Sequence, residues 1–238
     1  MSTVLPDAPP TLLPDDPPIV FADTPPTQWT LADVCARLPG FPADRIRTYP
    51  SPGTATEQDI LDAEARGGRI CELIDGTLVE KTMASYESAL AVALGYFLHI
   101  YMDTHKAGML LGADGMLKIL VDQIRTPDVS FIRWERLPGR KRPKAAIYAV
   151  APDLAVEILS KGNTVAEMDR KLHEYFESGT QLVWYIEPKT RTARAYTAVD
   201  RWTEIGVNDS LLGGEVLPGF ELPLEQLFAR VDGPGEGA

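Results

Sequence analysis

Two periods of hydrophobic recurrence organise the chain. Apolar residues three and four apart predict helices, and short apolar runs bounded by turn residues predict strands. "TLADVCARL" predicts a short helix from Thr30, with Thr30 and Asp33 close to a capping box and Pro39-Gly40 closing it. "TATEQDILDAEARGG" predicts a second, entered at Thr54 with Glu57 at capping-box spacing and ended by Gly67-Gly68. "RICELIDGTLVEK" breaks into two strand-like pieces around Asp75-Gly76, a two-residue hairpin signal. A helix from Tyr86 to Met102 is apolar nearly all round, so it should pack on more than one side. "GMLKILVDQIRTPDVSFI" reads as two strands with a turn near Asp122-Gln123, and "PDLAVEILS" as another. A helix from Thr164 to Ser178 follows, with Thr164 and Glu167 as a capping box and Gly179 as its stop. "QLVWYIEP" and "TARAYTA" are further strands, and "LPLEQLF" a short last helix.

That order predicts an α/β fold, a central mixed sheet flanked by helices in a single domain over residues 28–230. Residues 1–27 are proline-rich without apolar periodicity and read as a disordered lead, and residues 231–238 as a flexible tail. The N-terminus has neither a basic region nor an apolar core, so it does not read as a signal peptide. The most apolar run, "ALAVALGYFLHIYM", is too short for a membrane span. Cys35 and Cys71 make no disulfide framework or close metal pair, which fits a reducing, cytoplasmic setting.

Charge narrows the partners. The net charge of −11 works against nucleic-acid binding, which runs on Lys and Arg. One stretch runs the other way: "RWERLPGRKRPK" holds Arg133, Arg136, Arg140, Lys141, Arg142 and Lys144 against Glu135 alone. It reads as a solvated loop, or as a backbone clamp if the chain binds nucleic acid.

Walker, G-x-G-x-x-G and G-x-S-x-G motifs are missing, and His99, His105 and His173 have no zinc-ligand spacing. What remains is a set of acids on or beside apolar elements. Asp128 opens the strand "DVSFI" after Pro127, where a turn aspartate is common. Glu157 sits among Val156, Ile158 and Leu159, a costly place for an unpaired charge. Glu87 heads the apolar stripe of its helix, where the helix dipole alone would also favour an acid. Lys171 lies on the apolar margin of its helix, the ordinary place of a snorkelling lysine. Two strand carboxylates suit Mg²⁺, which binds one or two carboxylates, several waters and substrate phosphate oxygens.

Three segments, "RTPDVSFI", "PDLAVEILSKGNT" and "EMDRKLHEYFESGTQLVWYIEPKTRTARAY", resemble in this order the Uma family of bacterial restriction endonucleases. "CELIDGTLVEK" resembles an earlier segment of that family, so the likeness spans residues 30–228. The family lies in the PD-(D/E)XK restriction-endonuclease-like superfamily. The resemblance implies a central mixed sheet with a two-carboxylate metal site at strand ends. Asp128 would be the aspartate of the PD element, Glu157 the acid of the (D/E)XK element, and Glu87 the acid of the first core helix. The lysine position after Glu157 holds Leu159, so the resemblance moves that function to Lys171 on the next helix, with Lys161 as a lesser substitute.

The expectation is therefore a Mg²⁺-dependent endonuclease acting on DNA, with Mn²⁺ as an alternative ion. Asp128 and Glu157 would hold the metal, and Glu87 and Lys171 would complete the site. By analogy with such folds the active form would be a homodimer. A catalytically silent module binding nucleic acid or protein on the same scaffold is the competing reading, favoured by Leu159 and the acidic net charge. A hydrolase of small phosphoesters is a third, and needs no clamp.

Overall fold

The computed structural model describes residues 29–67 and 69–233; the predicted lead of residues 1–27 and residues 234–238 of the predicted tail lie outside them. Among the described residues, five α-helices and twelve strands form one mixed α/β arrangement. The chain begins with α1 (Leu31–Arg37) and α2 (Glu57–Ala65), then the hairpin of β1 (Cys71–Ile74) and β2 (Thr77–Glu80). The long helix α3 (Ser85–His105) follows, and then β3 (Gly108–Leu111), β4 (Leu117–Leu120), β5 (Gln123–Arg125) and β6 (Val129–Arg133). Next are β7 (Leu154–Ile158), α4 (Val165–Glu177), β8 (Leu182–Glu187), β9 (Thr192–Ala198) and β10 (Arg201–Ile205). The chain closes on β11 (Ser210–Leu212), β12 (Glu221–Pro223) and α5 (Leu224–Asp232).

The strands divide into two main sheets. A four-stranded sheet runs β2-β1-β5-β4, and a six-stranded sheet runs β10-β9-β8-β7-β6-β3. Only β7 and β8 pair in parallel within the large sheet, and α4 is their crossover. β7 is therefore an interior strand, so Glu157 has no sheet edge through which to reach water. The large sheet buries Val129, Val156, Ile158 and Trp184 against α3 and α5 on one face. Its other face buries Ala155, Val183 and Tyr185 against Met168, Leu172 and Tyr175 of α4.

Local signals explain most of these elements. The β1–β2 turn is Asp75-Gly76, with φ of 47° and 67°, the left-handed pair a two-residue hairpin requires. A Cβ on Gly76 would also meet the Gly53 backbone at 2.8 Å. Thr30 and Asp33 form the predicted capping box. Thr164 accepts from the Glu167 N–H at 3.2 Å, but the Glu167 carboxylate does not close the box. It turns instead to Arg45, at 2.7 and 2.8 Å.

The start of α2 differs from the expected one. α2 begins after Thr56, whose N–H donates to Asp59 at 2.8 Å, and not after Thr54. Both threonines precede an acid by three residues. The choice is made by Ala55, buried against the hairpin with its N–H donated to Gly76 O at 2.8 Å, which holds it in extended backbone.

Candidate active site

α4 presents two adjacent buried stripes. Met168, Leu172 and Tyr175, at spacings of four and three, face the large sheet. Glu167, Lys171 and Glu174, spaced alike, are also buried and make charged pairs across to the N-terminal region and the small sheet. The helix thus fills the seam between the sheets and brings Lys171 to their facing carboxylates.

Asp128 and Glu157 arrive from neighbouring strands. The β6–β7 register sets Val129 opposite Val156, so Asp128 comes beside Glu157 at the end of the pair. Strand alternation sends Ala155 and Glu157 to the α4 face, away from Val156 and Ile158. The Ile158 N–H donates to Asp128 Oδ2 at 2.7 Å, which fixes that carboxylate against the β7 backbone. Lys171 Nζ lies 3.3 Å from both oxygens of Glu157, and the Tyr175 hydroxyl donates to Glu157 Oε1 at 2.5 Å. Lys171 is 2 % exposed and does not snorkel.

Two members were not expected. Glu72 of β1, 1 % exposed, stands 3.1 Å from the Lys171 ammonium and 2.8 Å from Arg125 Nη1, and accepts the Thr126 N–H. Lys81, just past β2, reaches Asp128 Oδ1 at 2.8 Å and also donates to the Thr126 and Ala113 carbonyls. The signal for Glu72 was present in "CELI": an acid inside an apolar strand, as at Glu157. Nothing in the local sequence marks Lys81, because its partner Asp128 is remote along the chain.

The electrostatics separate these groups. Burial alone would raise the Glu72 carboxyl, but the Lys171, Arg125 and Lys81 cations outweigh it and hold it well below the usual range. Burial raises Glu157; Lys171 and Lys81 oppose that rise, and the neighbouring Asp128 and Glu72 charges reinforce it. Burial would lower the Lys171 ammonium, but Glu157 and Glu72 keep it charged with a raised pKa. The Tyr175 hydroxyl is pushed up by burial and by the same two carboxylates, so it acts as a donor.

The other expected residues lie elsewhere. Among the described residues no hydrogen bond or ion pair joins Glu87 to Asp128, Glu157 or Lys171, and Glu87 Oε2 is buried without a partner. The 133–144 loop leaves the opposite end of β6, whose five residues at about 3.3 Å each set it ~16 Å from Asp128. Arg133 and Arg136 are tied to Asp153, and Arg142 donates to the Tyr148 hydroxyl. Arg140 stands 4.0 Å from Glu135, and Lys141 and Lys144 are exposed. No helix among the described residues is long and apolar enough to cross a membrane.

Comparison with known proteins agrees with this architecture. A crystal structure of "a putative nuclease belonging to DUF820" from Anabaena variabilis ATCC 29413 superposes with a TM-score of 0.61 at 20 % identity. The match covers 72 % of this chain and 98 % of that one, and establishes the fold. No curated protein matches the sequence. Residues 58–225 match the family described as "Uma2: Putative restriction endonuclease". That span includes Glu72, Asp128, Glu157 and Lys171, and the chain is a member of the Uma2 family.

Proposed function

We propose that this chain is a divalent-metal-dependent nuclease that hydrolyses phosphodiester bonds in DNA, with Asp128 and Glu157 as metal ligands. The observation behind this reading is that Asp128 and Glu157 stand side by side at the end of paired strands, each against a buried lysine, with Glu72 sharing Lys171. Among the described residues no three acids are grouped closely enough to hold an ion by themselves, so two carboxylates would hold it and water would complete its shell. The donors are hard carboxylate oxygens, which suit Mg²⁺ or Mn²⁺, ions that complete their shell with water and phosphate oxygens. A bound ion of this kind would supply an activated water and offset charge on the phosphorane.

The protein's own groups divide the remaining work. Tyr175 and Lys171 orient Glu157, and the Ile158 N–H orients Asp128. Lys171 stays protonated between Glu72 and Glu157, so its part is electrostatic stabilisation of the phosphorane and not proton abstraction. Glu157 would meet the ion as a carboxylate, oriented by Tyr175 and Lys171, and the proton of the attacking water would leave to solvent. Lys81, held by Asp128 and by the Thr126 and Ala113 carbonyls at the floor of a cleft, would fix Asp128 and add positive charge beside the scissile phosphate. Glu87, whose Oε2 has no hydrogen-bond partner among the described residues, would act on the ion only through water. The exposed Arg140, Lys141 and Lys144 would make an outlying backbone contact.

A second reading, a silent binding module, rests on one observation. Each carboxylate is already matched by a cation of the chain, Lys81 on Asp128 and Lys171 on Glu157. Incubation with supercoiled plasmid separates the two. Wild type should nick it in Mg²⁺ and leave it intact in EDTA, and a folded Asp128→Asn/Glu157→Gln variant should leave it intact in both. Wild-type rates in that variant would sink the nuclease assignment, and binding without cleavage by the native chain would select the silent module.

A further inference from the structure

The 133–144 loop starts at the end of β6 away from Asp128, and Arg133 and Arg136 are engaged by Asp153. A different basic surface adjoins the buried carboxylates. A cleft of about 330 Å³ is lined by Arg47, Tyr49, Arg66, Arg69, Cys71 and Leu78. A second cleft, of about 550 Å³, is lined by Arg69, Ile70, Lys81, Thr82 and Met83. The two share Arg69, and the second ends on Lys81, whose ammonium touches Asp128 at 2.8 Å. Arg47, Arg66 and Arg69 on the first cleft thus lead through Arg69 to the second, where Lys81 meets Asp128.

Three features distinguish this path from an ordinary solvated face. Arg47 and Arg69, with side chains 48 % and 78 % exposed, share one buried carboxylate, Glu80, at 2.7 and 3.0 Å. Glu80 positions both guanidiniums yet neutralises only one of them. Arg66 forms no salt bridge among the described residues, so the first cleft carries a local excess of positive charge in a chain of net −11. Guanidinium forks match phosphate oxygens, and exposed ion pairs are weak enough to yield to them. Tyr49, 80 % exposed beside Arg47, offers a ring on which an unpaired base can stack.

We infer that this path is the groove that holds the DNA strand next to the cleaved bond, with Arg66 and Arg69 on successive phosphates and Tyr49 under a base. It rests on the nuclease reading for the identity of the strand, and places the primary grip here and not on the 133–144 loop.

Fluorescence anisotropy with a labelled single-stranded oligonucleotide and its duplex tests the groove in EDTA, where no cleavage is needed. The Arg66→Glu/Arg69→Glu variant should bind duplex about tenfold or more weakly, with the slope of log affinity on log salt shallower by about 2. Arg66→Gln/Arg69→Gln, a milder change at exposed positions, should lose less. Tyr49→Ala should weaken single-strand binding more than duplex binding. An Arg140→Glu/Lys141→Glu variant should lose less than the groove pair. Wild-type affinity and slope in both groove variants would overturn the inference, as would a larger loss from the loop variant or no DNA binding by the native chain. Plasmid cleavage by the native chain with groove-independent binding removes the groove and leaves the nuclease reading. Groove-dependent binding without cleavage does the reverse.

Discussion

Glu72 shows why single residues matter in this seam. It faces two buried cations, Lys171 and Arg125, and each would be left short of counter-charge without it. Glu72→Gln should cost about 3–5 kcal/mol, read as a lower urea midpoint. The pH dependence has a definite sign. Glu72 has a depressed carboxyl in the fold, so its contribution is present above the unfolded value of about 4.3 and is lost as pH falls toward the folded value. Glu157 is raised, so its contribution has the opposite sense: present below about 4.3, and lost as pH rises through the folded value. Denaturation midpoints between pH 3 and 7 should therefore show a shallower acid limb in Glu72→Gln and a steeper one in a folded Glu157→Gln. Identical limbs would contradict these assignments. Lys171→Met should leave metal binding measurable but lower the single-turnover cleavage rate by about 10²-fold or more, the scale of losing one transition-state charge partner. At this scale the sequence was partly legible. Glu157 announced itself through its apolar neighbours, and Glu72 carried the same mark unread. Lys81 carried none, because only the fold brings it to Asp128.

Among elements, α4 carries the most. Its two buried stripes join the sheets, and Thr164 anchors its start by accepting from Glu167 N–H and donating to Gly40 O at 2.8 Å. Thr164→Ala should cost about 1–2 kcal/mol by denaturant titration, without altering the far end of the large sheet. The hairpin turn is the other sensitive element. Gly76→Val places a branched side chain at φ 67° and drives its Cβ against the Gly53 backbone, for a loss of about 1–3 kcal/mol. Both elements could be read from the sequence, since caps and a two-residue turn are local signals. The separation of the strands into two sheets could not. β1 and β7 are both short apolar runs holding one acid, and only non-local pairing decides that β1 joins β5 while β7 joins β6 and β8. "GMLKILVDQIRTPDVSFI", read as two strands, holds three, β4, β5 and β6, and β3, β10, β11 and β12 lie outside every strand read from the sequence. β3 follows directly on a helix, β10 is largely exposed and lacks an apolar face, and β11 and β12 are three residues each.

Across the whole molecule the charges are sorted by depth. Acids outnumber bases in the sequence, yet the seam between the sheets pairs them closely, and exposed arginines gather beside the hairpin. This arrangement lets an acidic chain offer a basic path to one buried site. It also leaves the site's purpose resting on whether Asp128 and Glu157 share a cation or merely balance Lys81 and Lys171. Calorimetric titration with Mn²⁺, run on wild type and on Asp128→Asn/Glu157→Gln at neutral pH, measures that directly. The expected result is saturable binding in wild type that disappears in the variant while its circular dichroism is retained. Matching isotherms from the two proteins, with or without heat of binding, would contradict a metal site at these carboxylates.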